Sequence, residues 1–253
     1  MTALTVRAAL AALLAGDAAQ PLVTYLGPDG SRTELSVRTF ENNVAKAANL
    51  LRDDADVSAQ SLVVLRLPLH WQVSVWLGAC AMTGCTAWLD GDPDGPDVEV
   101  AVLGPATLTE PRAPLTLASA LHPFGLPFTT PLPAGVLDAA LEVRVHGDRF
   151  TAYDDVTGGS SWLRTGGSPR LWTQAAALED AAALASSLGL RGGGRLLCAR
   201  ALDEVSMLAL LAVPLAVGGS VVLLDAAAAD GSGPDDDEIS AVAAREHCDA
   251  VLR

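Results

Sequence analysis

The feature that most constrains the fold is a short sequence pattern that occurs twice. Residues 84–90 read Gly-Cys-Thr-Ala-Trp-Leu-Asp, and residues 219–225, 135 positions later, read Gly-Ser-Val-Val-Leu-Leu-Asp. The same offset places the apolar strand at Leu62 over Leu197. Each half of the chain therefore reads as helix, buried strand, helix, glycine, buried strand and aspartate. The alternative is a chance match between two generic α/β patterns.

This alternation of helices and apolar strands predicts an α/β fold with two similar, mostly parallel sheet layers covered by helices. The strands at 61–67 and 85–89 are rich in apolar residues, as parallel strands buried on both faces are. We expect a first α/β half with a proline-rich connector over residues 1–150 and a second α/β half over residues 151–253. The two halves are expected to form one compact domain.

Signals ahead of the first copy predict a hairpin followed by a helix. The Gly-Pro-Asp-Gly run at 27–30 is a strong turn signal, so strands 22–26 and 32–35 are expected to pair. Ser36 is a suitable N-cap for the helix that follows. The buried face of that helix is expected to carry Phe40, Val44, Ala47 and Leu51.

The connector between the repeats has many prolines and few charges. We expect residues 104–133 to be a loop that Phe124, Leu126 and Phe128 hold against the body of the protein. Residues 137–145 are expected to form a helix followed by a strand.

Composition removes several classes of function. The chain has 253 residues, a net charge of −14 and a single lysine, Lys46, so nucleic acid and anionic membrane surfaces are not expected partners. The longest apolar stretch, 207–224, is broken by Pro214 and Gly218 and is too interrupted for a membrane-spanning helix. The four cysteines lack zinc-site spacing, which favours free, mostly buried thiols in a reducing cytoplasm.

A stretch rich in Gly, Ser and Thr, residues 156–170, joins the two halves, and Thr173 then serves as a helix N-cap. Glycine-rich loops that open a helix can hold phosphate on their backbone N–H groups. The plainer alternative is a connector, because glycine and serine are common in loops. The two differ in whether the backbone leaves converging N–H groups or Trp162 fills the space.

Several of these segments resemble the adenylate-forming (AMP-binding, acyl-CoA synthetase-like) superfamily. The resemblance rests on residues 33–93, including the helix at 42–51 and the Pro-Leu-His at 68–70. Residues 171–224 resemble the segment that follows that family's phosphate loop. The chain is also similar to short, uncharacterised actinobacterial members of the superfamily. The resemblance implies the N-terminal domain of that fold, truncated relative to the complete enzymes, with nucleotide at the junction of the halves.

The family's phosphate loop reads Ser-Gly-Thr-Thr-Gly-x-Pro-Lys-Gly. The nearest match here consists of Thr165, Gly166, Gly167, Ser168, Pro169 and Arg170. The resemblance makes these six residues candidates for binding ATP or AMP, with Arg170 in the place of the family's lysine. Arginine can hold a phosphate through two hydrogen bonds. The preceding Ser-Gly-Thr is missing, which shortens the row of N–H groups and favours the connector interpretation.

Other positions depart from the family and argue against adenylation. Asp203 and Glu204 stand where the family often has Phe-His; we favour helix capping for them over repulsion of an anionic ligand. The His-Gly-Asp at 146–148 resembles the ribose-binding Gly-Asp but comes too early. The Thr-Glu motif that supplies a magnesium ligand, and the C-terminal domain with its adenylation lysine, have no counterpart. Adenylation requires cationic stabilisation of the transferring group.

The sequence leaves three functions open and identifies no catalytic residue and no metal site. The favoured one is a pseudoenzyme, a degenerate module that holds a nucleotide or acyl ligand weakly or not at all. The second is one half of a split acyl-adenylate or acyl-CoA synthetase that needs a second polypeptide. The third is an interaction protein whose exposed apolar surface forms a homodimer or holds a protein partner. For His70, helix capping or surface exposure is favoured over a catalytic role, because no partner is evident.

Overall fold

The computed structural model describes residues 5–108, 113–225 and 234–253, which alternate between helices and strands. Up to residue 150 the elements are α1 (Val6–Ala15), β1 (Pro21–Leu26), β2 (Arg32–Ser36), α2 (Val37–Asp53), β3 (Leu62–Arg66), α3 (Trp71–Thr83), β4 (Thr86–Leu89), β5 (Val98–Leu103), a 3₁₀ turn (Pro105–Thr107), β6 (Leu115–Ala118), β7 (Val136–Asp138) and α4 (Ala139–Arg144). They continue with β8 (Ser161–Thr165), β9 (Leu171–Thr173), α5 (Gln174–Ser187), β10 (Arg195–Cys198), α6 (Glu204–Leu210), α7 (Ala212–Val217), β11 (Ser220–Leu224), α8 (Asp236–Arg245) and β12 (Ala250–Leu252).

The strands form two sheets, which confirms the predicted α/β fold with two mostly parallel layers. One sheet has the strand order β7-β6-β5-β3-β4-β8-β9, and the other has the order β12-β10-β11-β1-β2. The antiparallel pairs are the two hairpins, β1 with β2 and β8 with β9. Within the described residues no helix is long and apolar enough to cross a membrane.

The predicted repeat is present in three dimensions. The units α2-β3-α3-β4 and α5-β10-α6-α7-β11 have the same order of elements, and each is preceded by a hairpin. Gly84 ends α3 and Gly218 ends α7, both in the left-handed conformation with φ of 85° and 68°. Glycine adopts that conformation without the steric penalty that a side chain would bring, so each helix can turn directly into its following strand.

The two halves exchange their hairpins. The hairpin β1-β2 precedes the first unit in sequence, but β1 pairs in parallel with β11 of the second unit, with Val23 opposite Val221. The hairpin β8-β9 precedes the second unit, but β8 pairs with β4 of the first unit, with Ala87 opposite Leu163. Each sheet is therefore built from both halves of the chain.

The core is shared between the halves in the same way. One cluster of buried apolar side chains extends from Val6 to Leu252 and includes the predicted face of α2. Phe40, Val44, Ala47 and Leu51 on that face are at most 1% exposed. Cys80, Cys85 and Cys198 are buried free thiols, as predicted, and Cys248 is partly buried.

The connector differs from its prediction. Residues 104–133 contain the strand β6, which pairs with β5, and residues 136–144 form a strand and then a helix rather than the reverse. Phe124 is 71% exposed and Leu126 is 45% exposed, so these side chains do not anchor the segment. The Pro123 carbonyl anchors the segment instead, because it accepts hydrogen bonds from Trp71 Nε1 and from the Thr33 hydroxyl. The acidic sequence at 226–238 predicts a solvated loop, and residues 226–233 of it lie outside the described residues.

Candidate functional site

The stretch at 156–170 is only partly a loop, which corrects the expectation from its composition. Ser161–Thr165 form strand β8, and the chain turns at 166–170 into β9. Trp162 is fully buried, and its Nε1 donates a hydrogen bond of 2.8 Å to the Leu77 carbonyl in α3. Trp162 lies at the start of β8, one residue before the pair of Leu163 with Ala87, so its indole fills the core against α3 at the end of the strand away from the turn.

The turn that matches the family's phosphate loop uses most of its backbone donors internally. The Gly166 N–H donates to the Leu89 carbonyl at 2.7 Å, and the Ser168 N–H approaches the Thr165 carbonyl at 3.4 Å. The Arg170 N–H donates to the Ser168 hydroxyl at 3.2 Å, and Pro169 has no N–H. In the part of the chain that the structure describes, the Gly167 N–H alone in this turn has no acceptor.

The Arg170 side chain is also engaged. Its guanidinium forms an ion pair with the Asp180 carboxylate of α5 and stacks over the Trp172 ring at 4.4 Å from the centroid. Trp172 Nε1 donates to the same Asp180 oxygen at 2.8 Å. A phosphate on this loop would compete with Asp180 for Arg170. The structure thus brings the six predicted residues together in one turn, whereas their role in nucleotide binding remains a prediction.

Asp203 caps a helix, as predicted. Its carboxylate accepts hydrogen bonds from the Val205 and Ser206 N–H groups at 3.0 and 2.8 Å, and it forms an ion pair with Arg200. Partial burial raises the pKa of Asp203. The hydrogen bonds from Ser206 and the charge of Arg200 outweigh this effect and bring the pKa below its usual range. The N-terminus of α6, where an anion would bind, therefore already carries an anion of the protein.

His70 occupies the equivalent position in the first unit. It is the N-cap of α3, where its Nδ1 accepts a hydrogen bond of 3.3 Å from the Gln72 N–H. Its ring is buried and meets the Tyr25 ring edge-on, with centroids 4.4 Å apart. Burial lowers the pKa of His70 to about 3, against a smaller opposite effect of the Leu121 carbonyl. His70 is therefore a neutral structural group, as its capping prediction implied.

Burial of neutral His70 makes stability depend on pH. Because the folded-state pKa lies near 3 and the unfolded-state pKa near 6.5, the unfolded chain binds the proton first as the pH falls. We expect this residue to cost about 2 kcal/mol of unfolding free energy between about pH 6.5 and pH 5, and nothing above that range. His70→Asn keeps a capping side chain and should flatten this part of the urea-unfolding profile. The loop variant His122→Asn should keep the wild-type slope, and an equal flattening in both variants would contradict the assignment.

A concave site lies apart from the turn at 165–170, in the first half of the chain. It is a cavity of about 460 Å³ between the edge strand β2, helices α2, α3 and α4, and the segment 119–125. None of the residues at 165–170 lines it, whereas Lys46 does. No local pattern in the sequence predicts this cavity, because its walls come from segments that are distant along the chain.

Comparison with known proteins places the fold. No protein-family model matches the chain. A curated protein of Mycobacterium tuberculosis, whose name gives a numbered family and no activity, is 38% identical over 147 residues, which are 54% of this chain and 58% of that protein. The aligned part thus spans little more than half the length of this relative.

Two solved structures share the whole architecture. The acyl-CoA synthetase of Brucella canis superposes with a TM-score of 0.77 at 16% identity over 99% of this chain and 47% of that one. The amide bond synthetase of Marinactinospora thermotolerans superposes with a TM-score of 0.65 at 18% identity over 97% of this chain and 48% of that one. The chain therefore has the fold of the N-terminal domain of adenylate-forming enzymes, and the predicted resemblance is confirmed at the level of the fold.

Proposed function

We propose that this chain is a ligand-binding module with the adenylate-forming fold that neither binds a nucleotide tightly at the turn at 165–170 nor forms adenylates itself. The strongest support is that the turn at 165–170 already spends most of its N–H donors and its positive charge on other groups of the protein. Its Gly166 N–H is bonded to β4 and its Arg170 guanidinium to Asp180. A nucleotide phosphate requires several converging donors and uncompensated positive charge, and the turn offers one free N–H and a neutralised arginine.

Helix α6 supports the same proposal. A helix N-terminus attracts phosphate through its free N–H groups and its dipole. In α6 the Asp203 carboxylate already accepts from two of those N–H groups. Glu204 adds a further carboxylate in the first turn. A phosphate there would meet two carboxylates.

One half of a split synthetase is the second candidate, and the exposure of the Arg170–Asp180 pair favours it. These side chains are 52% and 38% exposed, and pairs this exposed contribute about 0–1 kcal/mol. Release of Arg170 would therefore cost little. Together with the free Gly167 N–H, it would give a second polypeptide part of a phosphate site to complete.

Thermal unfolding with nucleotide separates the two candidates. We expect ATP or AMP at about 5 mM, with and without magnesium, to leave the melting temperature of the full chain unchanged within about 1 °C. A nucleotide present at about 100 times its Kd would instead add about 2.7 kcal/mol of stability. Arg170→Ala is the matched variant. Stabilisation of the wild type that this substitution removes would overturn the proposed function and favour the split synthetase.

A further inference from the structure

The cavity in the first half has the size of a small-molecule site. Its volume of about 460 Å³ lies within the range of about 300–1,000 Å³ that such sites occupy. Its lining mixes apolar side chains with polar and charged ones, so that the first can supply affinity and the second orientation. The apolar lining includes Trp71, Trp76, Phe124 and Ala140.

The walls are held in place without a ligand. Trp71 and Trp76 of α3 line the cavity and are only 7% and 4% exposed. Trp71 Nε1 donates to the Pro123 carbonyl at 3.0 Å, and the Thr33 hydroxyl of β2 donates to the same oxygen at 2.8 Å. The segment that carries Phe124 is therefore fixed from two sides. A rigid, preformed wall loses little conformational entropy on binding.

Phe124 is the part of this wall that the fold does not explain. It lines the cavity and yet is 71% exposed, and the residue beside it, Gly125, adopts a positive φ of 63°. Its ring has a tilted contact with His122 at 5.8 Å between centroids. An aromatic ring held at a cavity in this way would be covered by an apolar ligand, and burial of that surface would favour binding.

Lys46 supplies positive charge to the same cavity. It is the single lysine of the chain, lies on α2 and is half-buried. Among the described residues no carboxylate forms an ion pair with its ammonium group, and no hydrogen-bond acceptor contacts it. Arg144 also lines the cavity and donates to the Gly125 carbonyl at 3.0 Å. A half-buried ammonium group without a partner favours an anion beside it.

Glu34 is the carboxylate among the lining residues, and arginines outside the cavity neutralise it. Its Oε2 lies 2.7 Å from Arg32 and 3.4 Å from Arg195, and it accepts a hydrogen bond of 3.0 Å from the Thr24 hydroxyl. Burial raises the pKa of Glu34. The hydrogen bonds from Arg32 and Thr24 outweigh this effect and hold the pKa below its usual range. The remaining charge that faces the cavity is therefore positive, in a protein whose net charge is −14.

A neutral donor lies close to the cavity as well. The Ser119 hydroxyl donates to Gln72 Oε1 at 2.6 Å, and both residues line the cavity. This bond fixes the amide so that its oxygen is used and its NH₂ group is left to donate. An anionic group on a ligand would thus have Lys46 as a charged partner and Gln72 as a second donor.

We infer that this cavity binds a small aromatic anion, whose ring packs against Trp71, Trp76 and Phe124 and whose charged group pairs with Lys46. This gives a site and a ligand class to the ligand-binding role proposed above, on which it rests. The site is formed by the first half of the chain and shares no residue with the turn at 165–170. Carboxylates, sulfonates and phosphate monoesters with a one- or two-ring body all carry the anionic group that Lys46 would recognise.

Calorimetric titration of the full chain with naphthalene-2-sulfonate and with the neutral, nearly isosteric naphthalene-2-sulfonamide tests this inference. We expect the sulfonate to bind at least about tenfold more tightly than the sulfonamide, since one charge-assisted hydrogen bond is worth that much. Lys46→Gln removes the charge and should abolish this difference. Arg38→Gln removes an exposed charge from the same helix and should preserve it.

Ala140→Phe provides a test that does not alter charge. It places a ring on the α4 wall of the cavity and should remove the binding of both compounds while the melting temperature confirms folding. The inference would be overturned by equal affinity of the wild type for the two compounds. It would also be overturned if Arg38→Gln abolished the difference as Lys46→Gln does, or if Ala140→Phe left binding unchanged. Nucleotide titration keeps the two proposals apart. Stabilisation by ATP through Arg170 overturns the proposed function alone, and absent sulfonate binding overturns this site alone.

Discussion

Trp162→Ala is expected to lower the free energy of unfolding by about 4 kcal/mol, in the range for complete truncation of a buried aromatic side chain. Trp162 is among the largest fully buried side chains and lies on β8, where the second half's hairpin joins the first half's sheet. Its removal would leave a large void and delete the hydrogen bond from Nε1 to the Leu77 carbonyl. Urea unfolding followed by circular dichroism measures the loss.

Two variants calibrate this result. Trp162→Phe keeps most of the apolar volume and should cost clearly less than the alanine variant, because the remaining void is smaller. Phe124→Ala truncates an aromatic ring that is 71% exposed and should change stability by no more than about 0.5 kcal/mol. A loss below about 1 kcal/mol for Trp162→Ala would contradict the burial of the indole in the core against α3.

The fold could be predicted as far as local patterns determine it. Helix caps, glycine terminators and apolar runs recur within each repeat, so the order of helices and strands and the parallel sheets follow from the sequence. The exchange of hairpins does not follow. Val23 pairs with Val221 and Ala87 with Leu163, and an apolar strand carries no local signal of which distant strand it will join.

The connector was harder because its elements are short. Leu115–Ala118 and Val136–Asp138 have four and three residues, too few for a periodic pattern to be distinguished from a loop. One usable signal was present. Asp138 accepts a hydrogen bond from the Ala140 N–H as the N-cap of α4, so an aspartate at this position indicates a helix that starts after it rather than a strand that follows the helix.

The position of the candidate site could be predicted from the sequence, but the hydrogen bonds and ion pairs of its residues could not. The glycine-rich stretch marked the turn at 165–170, but the engagement of Arg170 depends on Asp180 in the next helix, and the use of the Gly166 N–H depends on the Leu89 carbonyl of β4. The Lys46 cavity was not predictable at all. Lys46 and Arg144 are almost 100 residues apart in sequence, and only the packing of α4 against α2 brings them to one cavity.

The two adjacent glycines of the turn have different structural requirements. A Cβ atom on Gly166 would lie 2.4 Å from the Asp90 carbonyl oxygen, which is backbone, because the turn passes directly over the end of β4. A Cβ atom on Gly167 would meet nothing within 4 Å. Gly166 is therefore explained by close packing in the fold, without reference to a phosphate. Gly167 has no such explanation, and its N–H is the free donor of the turn.

Gly166→Ala should consequently destabilise the protein by about 3 kcal/mol, since backbone at the end of β4 must move to admit the methyl group. Gly167→Ala should be neutral or stabilising by up to about 1 kcal/mol, because alanine restricts the unfolded chain and meets no obstacle in the folded one. Chemical unfolding of the two variants beside the wild type measures both effects. Equal stability of the two variants would contradict the placement of the turn against β4. If Gly167→Ala kept full stability but weakened a measurable nucleotide affinity, that glycine would serve a ligand, and the split synthetase would replace the non-adenylating module.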